Sequence, residues 1–176
     1  MSREELRLTG SGGQGVILAS IILSDIALET CLNDAQSQAY GPEARGGSCK
    51  AEVVISNKKI NYTKVMNPTF LLALTQASLN EFTKTIDENC ILVYDDTLEL
   101  PKNIKYKKAY SYPILNTALQ KIGKGFVANI IAVGLICQIL KLANFDKAKD
   151  VVSRYIPKGT EELNFKALEE GFKLYN

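Results

Sequence analysis

Leu6-Arg7-Leu8-Thr9-Gly10-Ser11-Gly12-Gly13-Gln14-Gly15 runs directly into Val16-Ile17-Leu18-Ala19. The order is a short apolar-alternating segment, a glycine-rich turn and then a strongly apolar run. Ile21, Ile22, Leu23, Ile26, Ala27 and Leu28 continue that run and leave few polar positions. Such a helix is buried around much of its circumference, as a helix covering a sheet is. Strand, glycine loop and buried helix is how a doubly wound α/β unit opens.

Working outward, Asn33 to Gly47 is polar and turn-rich and reads as a long loop. Cys49 to Ile55 alternates as a strand, and Asn57-Lys58-Lys59 is expected to turn it back toward Ile60-Asn61-Tyr62. Phe70 to Leu74 reads as a buried strand, followed by a helix from Gln76 to Ile86. Cys90 to Asp96 is a central strand ending in carboxylates, and Lys107 to Tyr112 is a weaker one. Helices are expected over Asn116–Ile122, Asn129–Leu142, Asp146–Tyr155 and Glu161–Lys173. The sequence therefore predicts one α/β domain over residues 1–176: a Rossmann-like unit with a mostly parallel central sheet flanked by helices and a helical C-terminal third.

Composition narrows the function. The 176 residues carry 21 basic and 19 acidic side chains, interspersed rather than blocked, so nucleic acid is not an expected partner. The charged start Met1 to Glu5 does not resemble a signal peptide. The apolar run Asn129 to Leu142, broken by Gly134 and Gln138, is too short to cross a bilayer. A soluble, cytoplasmic protein is the expectation. Histidine is absent, which removes the usual general base and imidazole metal ligands. The four cysteines, Cys31, Cys49, Cys90 and Cys137, form no Cys-x-x-Cys pair, and buried reduced thiols are expected. No catalytic residue and no metal ligand is assigned.

Two loops carry the remaining signal. Gly12, Gly13, Gln14 and Gly15 let a backbone approach an anion closely, at a helix start where free N–H groups attract negative charge. The acid expected some 20 residues on in a dinucleotide site corresponds to Asp34, within what reads as loop rather than a second strand. The alternative reading is a tight strand-to-helix turn without any ligand. The second loop, Tyr40-Gly41-Pro42-Glu43-Ala44-Arg45-Gly46-Gly47, presents an arginine suited to forked recognition of carboxylate or phosphate. Alternatively, Glu43 and Arg45 pin the loop locally or face water.

Together the two loops resemble the gamma subunits of 2-oxoacid:ferredoxin oxidoreductases. The similarity extends through Leu71 to Ala77, Lys121-Ile122-Gly123, Asn129 and Gly134. The Gly-x-Gly-Gly-Gln-Gly form and the Glu-x-Arg-Gly-Gly ending are like the 2-oxoglutarate branch, whereas pyruvate-type members tend toward Arg-Gly-Gly-Gln-Gly and a double-arginine second loop. Indolepyruvate-type members carry a Gln-Arg-Gly-Gly variant. The chain departs from relatives at Pro68-Thr69, where Pro-Asp is common, and at Thr63, where another proline is common.

The resemblance implies a chain that is not active alone, in an assembly that converts a 2-oxoacid, coenzyme A and oxidised acceptor into acyl-CoA, carbon dioxide and reduced acceptor. Thiamine diphosphate, magnesium and iron–sulfur clusters belong to partner subunits (alpha, beta and a ferredoxin-like delta), which supply the hard chemistry. Coenzyme A is implied at Gly12, Gly13, Gln14, Gly15 and Arg45, with subunit contacts at Tyr40, Gly41, Pro42, Glu43, Gly46 and Gly47. The rival readings are a stand-alone nucleotide-binding reductase, with Tyr40, Lys50 or Tyr94 as proton donor, and a purely structural subunit.

Overall fold

The computed structural model describes residues 3–39 and 48–175. In chain order the elements are β1 (Arg3–Ser11), α1 (Val16–Glu29), β2 (Asn33–Ala39), β3 (Ser48–Ser56), β4 (Phe70–Ala73), α2 (Gln76–Phe82), β5 (Ile91–Asp95), β6 (Lys108–Tyr112), α3 (Ile114–Asn116), α4 (Ala128–Leu140), α5 (Phe145–Val152) and α6 (Glu161–Lys173). A π-helical turn, Thr117–Ile122, continues α3, and a 3₁₀ turn, Gly125–Val127, leads into α4.

The strands form one sheet in the order β2-β3-β1-β4-β5-β6. The pairs β1–β4, β4–β5 and β5–β6 are parallel, while β3 is antiparallel to both β1 and β2. Five strands therefore share one direction and β3 opposes them, which is the mostly parallel sheet the sequence predicts. Strand pleating sorts the side chains. Leu6, Leu8, Val53, Ile55, Phe70, Leu72 and Val93 lie in the larger core with α1 and α4. Leu71, Ala73 and Leu92 lie in a smaller cluster with Leu79 and Phe82 of α2. Ile22, Leu23 and Ile26 of α1 are buried, each contributing about 1.5–3 kcal/mol through burial.

The helical third packs without spacers. A methyl group on Gly134 of α4 would meet the Leu168 carbonyl oxygen, and one on Gly171 of α6 would meet that of Ile131. The two helices thus touch backbone to backbone. Arg154 and Tyr155, just past α5, both donate to Asp25 of α1, at 3.3 and 3.2 Å.

Three sequence expectations are corrected. Asn33 to Ala39 is not loop but the edge strand β2, paired with β3 from Asn33–Ser56 to Ala39–Lys50. Two of its polar side chains meet serines of α1: Gln36 donates to Ser20 Oγ at 2.8 Å, and Ser24 donates to Asp34. The predicted return of β3 toward Ile60-Asn61-Tyr62 does not form, because β1 and β2 already occupy both of its edges. Residues 57–69 instead cross irregularly to β4, and the Val65 carbonyl accepts from Arg7 Nη2 at 3.1 Å. Buried thiols are found for Cys90 and Cys137 only; Cys31 is exposed and Cys49 half-buried.

Candidate functional site: the glycine loop at the sheet's switch point

The chain leaves β1 through α1 toward β2 and β3 on one side, and later returns to build β4, β5 and β6 on the other. The C-terminal ends of β1 and β4 thus flank the place where the winding reverses, where open α/β sheets bind ligands. Gly12 to Gly15 sits there.

Gln14 shapes the loop. Its backbone N–H donates to the Ser11 carbonyl at 3.2 Å, closing a turn. Its side-chain Oε1 accepts from Ser11 N–H at 2.7 Å, and Nε2 donates to the Leu74 carbonyl at 3.4 Å, tying the loop to the end of β4. Gly13 and Gly15 hold φ of 88° and 71°, a left-handed region that favours glycine. Gly15 stands just before α1, and among the described residues no side chain caps that helix; the first N–H groups of such a helix favour an outside acceptor.

The three glycines stand in different surroundings. A methyl group on Gly15 would lie 2.5 Å from Asn129 Nδ2, so Gly15 is demanded by the packing of α4 as well as by φ. Gly13 is demanded by φ alone, since nothing lies within 4 Å of where its side chain would be. Gly12 has no positive φ and equally open space. Nothing among the described residues requires a glycine there. Beside the loop, Ser11, Gly13, Gly15, Ile17, Ile21 and Cys49 line a largely apolar hollow of about 370 Å³.

The second loop, including Tyr40, Gly41, Pro42, Glu43, Arg45, Gly46 and Gly47, lies outside the described residues. Its anchor points, however, are fixed. Ala39 pairs with Lys50 and Ser48 pairs with Ser11, so that segment leaves and re-enters the sheet at the same end as Gly12. The two strands that flank the second motif therefore end beside the glycine loop. Asp34 goes elsewhere. It pairs with Ile55, which pairs with Glu4, seven residues back from Ser11 and therefore about 23 Å along the strand from the glycine loop. The dinucleotide-type acid is misplaced because β2 begins, rather than ends, with it, and because β3 separates β2 from β1.

Other proposed donors are engaged. Lys50 Nζ lies 3.4 Å from Glu52 Oε1, and Tyr94 packs against the smaller cluster beneath α2. Asp95 is buried and spent on structure: it accepts from the Thr97 N–H and hydroxyl and, at 2.7 Å, from Leu115 N–H. Sequence reasoning missed the buried pair Arg7–Glu52 (2.7 Å), whose arginine also donates to Thr85 and lies over the Phe82 ring. Both residues sit in strands, and only the β1–β3 register brings them together. Among the described residues no group of His, Cys, Asp and Glu could hold a metal ion, and no helix is long and apolar enough to cross a membrane.

The chain belongs to the pyruvate ferredoxin/flavodoxin oxidoreductase family, whose model matches residues 5–174, and within it to the gamma-type subunits of 2-oxoacid:ferredoxin oxidoreductase complexes. It is 36% identical to the 2-oxoglutarate synthase subunit KorC of Methanothermobacter marburgensis, over 98% of this chain and 96% of that protein. Among solved structures it is similar to the keto/oxoacid ferredoxin oxidoreductase gamma subunit of Geobacter sulfurreducens, with TM-score 0.87, 34% identity, and coverage of 99% of this chain and 97% of that one. The fold also matches, at TM-score 0.87 and 19% identity, 31% of a chain of the 2-oxoglutarate:ferredoxin oxidoreductase of Magnetococcus marinus, a structure with 2-oxoglutarate, coenzyme A and succinyl-CoA bound. There the same fold is one part of a longer polypeptide.

Proposed function

We propose that this subunit serves an oxidoreductase specific for 2-oxoglutarate, and that its glycine loop receives the pyrophosphate of coenzyme A while helping to close the active site. The oxoacid assignment rests on the full-length likeness to 2-oxoglutarate synthase subunits. The single observation that carries the coenzyme A assignment is the bare backbone at Gly12, where no described residue lies within 4 Å of the place a Cβ would take. Free N–H groups at the start of α1 would face the phosphates, and the neighbouring apolar hollow offers room for an uncharged part of the ligand. Arg45 supplies the forked donor to a phosphate or to a partner's carboxylate, and Tyr40 to Gly47 forms a subunit contact.

In this reading the alpha, beta and delta subunits hold thiamine diphosphate, magnesium and iron–sulfur clusters, which supply the decarboxylation and electron-transfer chemistry when bound. This chain binds, orients and excludes water. A second reading, in which the loop touches only protein, is favoured by Gly15, whose glycine the contact with Asn129 explains without any ligand.

Steady-state assays of the reconstituted complex test the proposal. kcat/KM for 2-oxoglutarate should exceed that for pyruvate, and Arg45→Ala should raise the KM for coenzyme A by roughly ten- to a hundredfold, the loss of one charge-assisted contact. A preference for pyruvate would end the oxoacid assignment. Loss of this chain on gel filtration after Arg45→Ala, with coenzyme A kinetics unaltered in whatever stays assembled, would favour the second reading.

A further inference from the structure

Two helix starts converge at the glycine loop. α1 begins after Gly15, and Asn129, in the first turn of α4, stands against that glycine with its Nδ2 2.5 Å from the place a Gly15 Cβ would take. The helices run 14 and 13 residues, and neither carries an acid in its first turn. Among the described residues no side chain caps either one. Two positive helix ends thus meet without a carboxylate from either helix to balance them.

The Asn129 side chain supplies an independent observation. It is the one amide among the buried residues of α4, and only 6% of it is exposed. Its Oδ1 accepts from Ile130 N–H at 2.9 Å, which fixes the amide's orientation, since Nδ2 in that place would set donor against donor. Nδ2 itself donates to no group among the described residues. No fully buried side-chain nitrogen or oxygen there lacks a partner, so the unpaired Nδ2 reaches the surface, and it does so beside Gly15. A nearly buried donor left free costs stability unless a group from outside accepts from it.

We propose that Asn129 is a ligand-binding residue whose Nδ2 donates to a pyrophosphate oxygen held between the starts of α1 and α4. The inference deepens the coenzyme A reading above and rests on it. The two helix ends select an acceptor that carries negative charge over a neutral carbonyl, and the amide adds a directed donor that the helix ends lack. Because Oδ1 is already anchored, Nδ2 meets the ligand preoriented and little side-chain freedom is lost on binding. The bare Gly15 then has a second use: a side chain there would stand between the amide and the loop.

The test uses the assembled complex with Asn129→Asp, assayed with methyl viologen. The carboxylate keeps an oxygen for Ile130 N–H and suits a helix start, but it turns the free donor into a charged acceptor. The KM for coenzyme A should rise about tenfold or more, while the KM for 2-oxoglutarate and the content of this chain in the complex stay as in wild type. Dephospho-coenzyme A, which keeps the pyrophosphate, should show the same fold loss; a loss confined to the full coenzyme would overturn the pyrophosphate contact. Asn129→Ser also keeps an oxygen but is too short to reach the ligand, and it should raise the KM less, because it removes the donor without adding repulsion. Should the Asp variant fail to assemble, the Ser variant decides alone. An unchanged coenzyme A KM would overturn the proposal, as would equal rises in the coenzyme A and 2-oxoglutarate values, the mark of a structural role. Gly12→Val assayed alongside separates the two failures. A raised coenzyme A KM there with Asn129→Asp silent removes Asn129 only, whereas silence of both removes the coenzyme A reading itself.

Discussion

Asn129, in the first turn of α4, occupies the space that a side chain on Gly15 would need: a methyl group there would lie 2.5 Å from its Nδ2 and 3.1 Å from its Cβ. The start of one helix is thereby locked against the start of another. Asn129 is itself buried, and its Oδ1 accepts from Ile130 N–H at 2.9 Å, so it has little freedom to move aside.

Gly15→Ala is therefore expected to destabilise the isolated chain. The left-handed backbone alone costs about 1–2 kcal/mol, and displacing Asn129 adds to it. In a double-mutant cycle, Asn129→Ala should recover part of the loss, since it removes the collision but not the φ strain. Denaturant unfolding measures both, and equal stability of wild type and Gly15→Ala would contradict the locked arrangement.

Gly134→Ala and Gly171→Ala should each cost roughly 3 kcal/mol, the upper end for overpacking, because backbone carbonyls rather than side chains stand in the way. Thermal unfolding of the single variants checks this. A loss below that of an exposed helix substitution would mean α4 and α6 are not in backbone contact.

Arg7→Ala removes the partner of buried Glu52 and should destabilise by about 3 kcal/mol, the low end for breaking a buried pair, because Lys50 remains 3.4 Å away. Arg7→Ala/Glu52→Ala should be less harmful than the sum of the single changes. Strict additivity of the two would show that the pair is not coupled.

Burial pushes the Cys90 and Cys137 thiols from 9.0 up to about 12. The unfolded chain releases those protons near the ordinary thiol pKa and the folded chain does not, so the stability they contribute is complete below about pH 9 and declines between there and pH 12. Thiol-reactive dye at pH 8 should label Cys31 rapidly and leave Cys90 and Cys137 untouched until the chain unfolds. Prompt labelling of all four in the native chain would contradict their burial.

How far the sequence revealed the structure depends on whether apolar periodicity was present. β1, α1, β4 and α4 are written in side chains that the core buries, and they were legible. β2 was not, because its Asn-Asp-Ala-Gln-Ser-Gln-Ala run pairs through its backbone at a sheet edge and turns Asp34 and Gln36 toward helix serines. A signal existed: Ser20 and Ser24, four apart on a mostly apolar helix, match two polar residues two apart in a strand. The Arg7–Glu52 pair and the Gly134–Gly171 contact join segments distant in sequence and follow only from register and helix crossing. At the site, the glycine motif was readable as a loop before a helix. That Gly15 serves packing while Gly12 does not required the position of α4.

Gly12→Val tests the ligand role of the loop most directly, because Gly12 lacks positive φ and a Cβ there would meet nothing within 4 Å among the described residues. The substitution should leave the unfolding midpoint of the isolated chain close to wild type. In the assembled complex, assayed with 2-oxoglutarate and methyl viologen, it should raise the KM for coenzyme A at least tenfold while that for 2-oxoglutarate stays nearly constant, the pattern of roughly 1.4 kcal/mol or more lost from one ligand's binding. An intact complex with an unchanged coenzyme A KM would contradict the assignment of the glycine loop to that ligand.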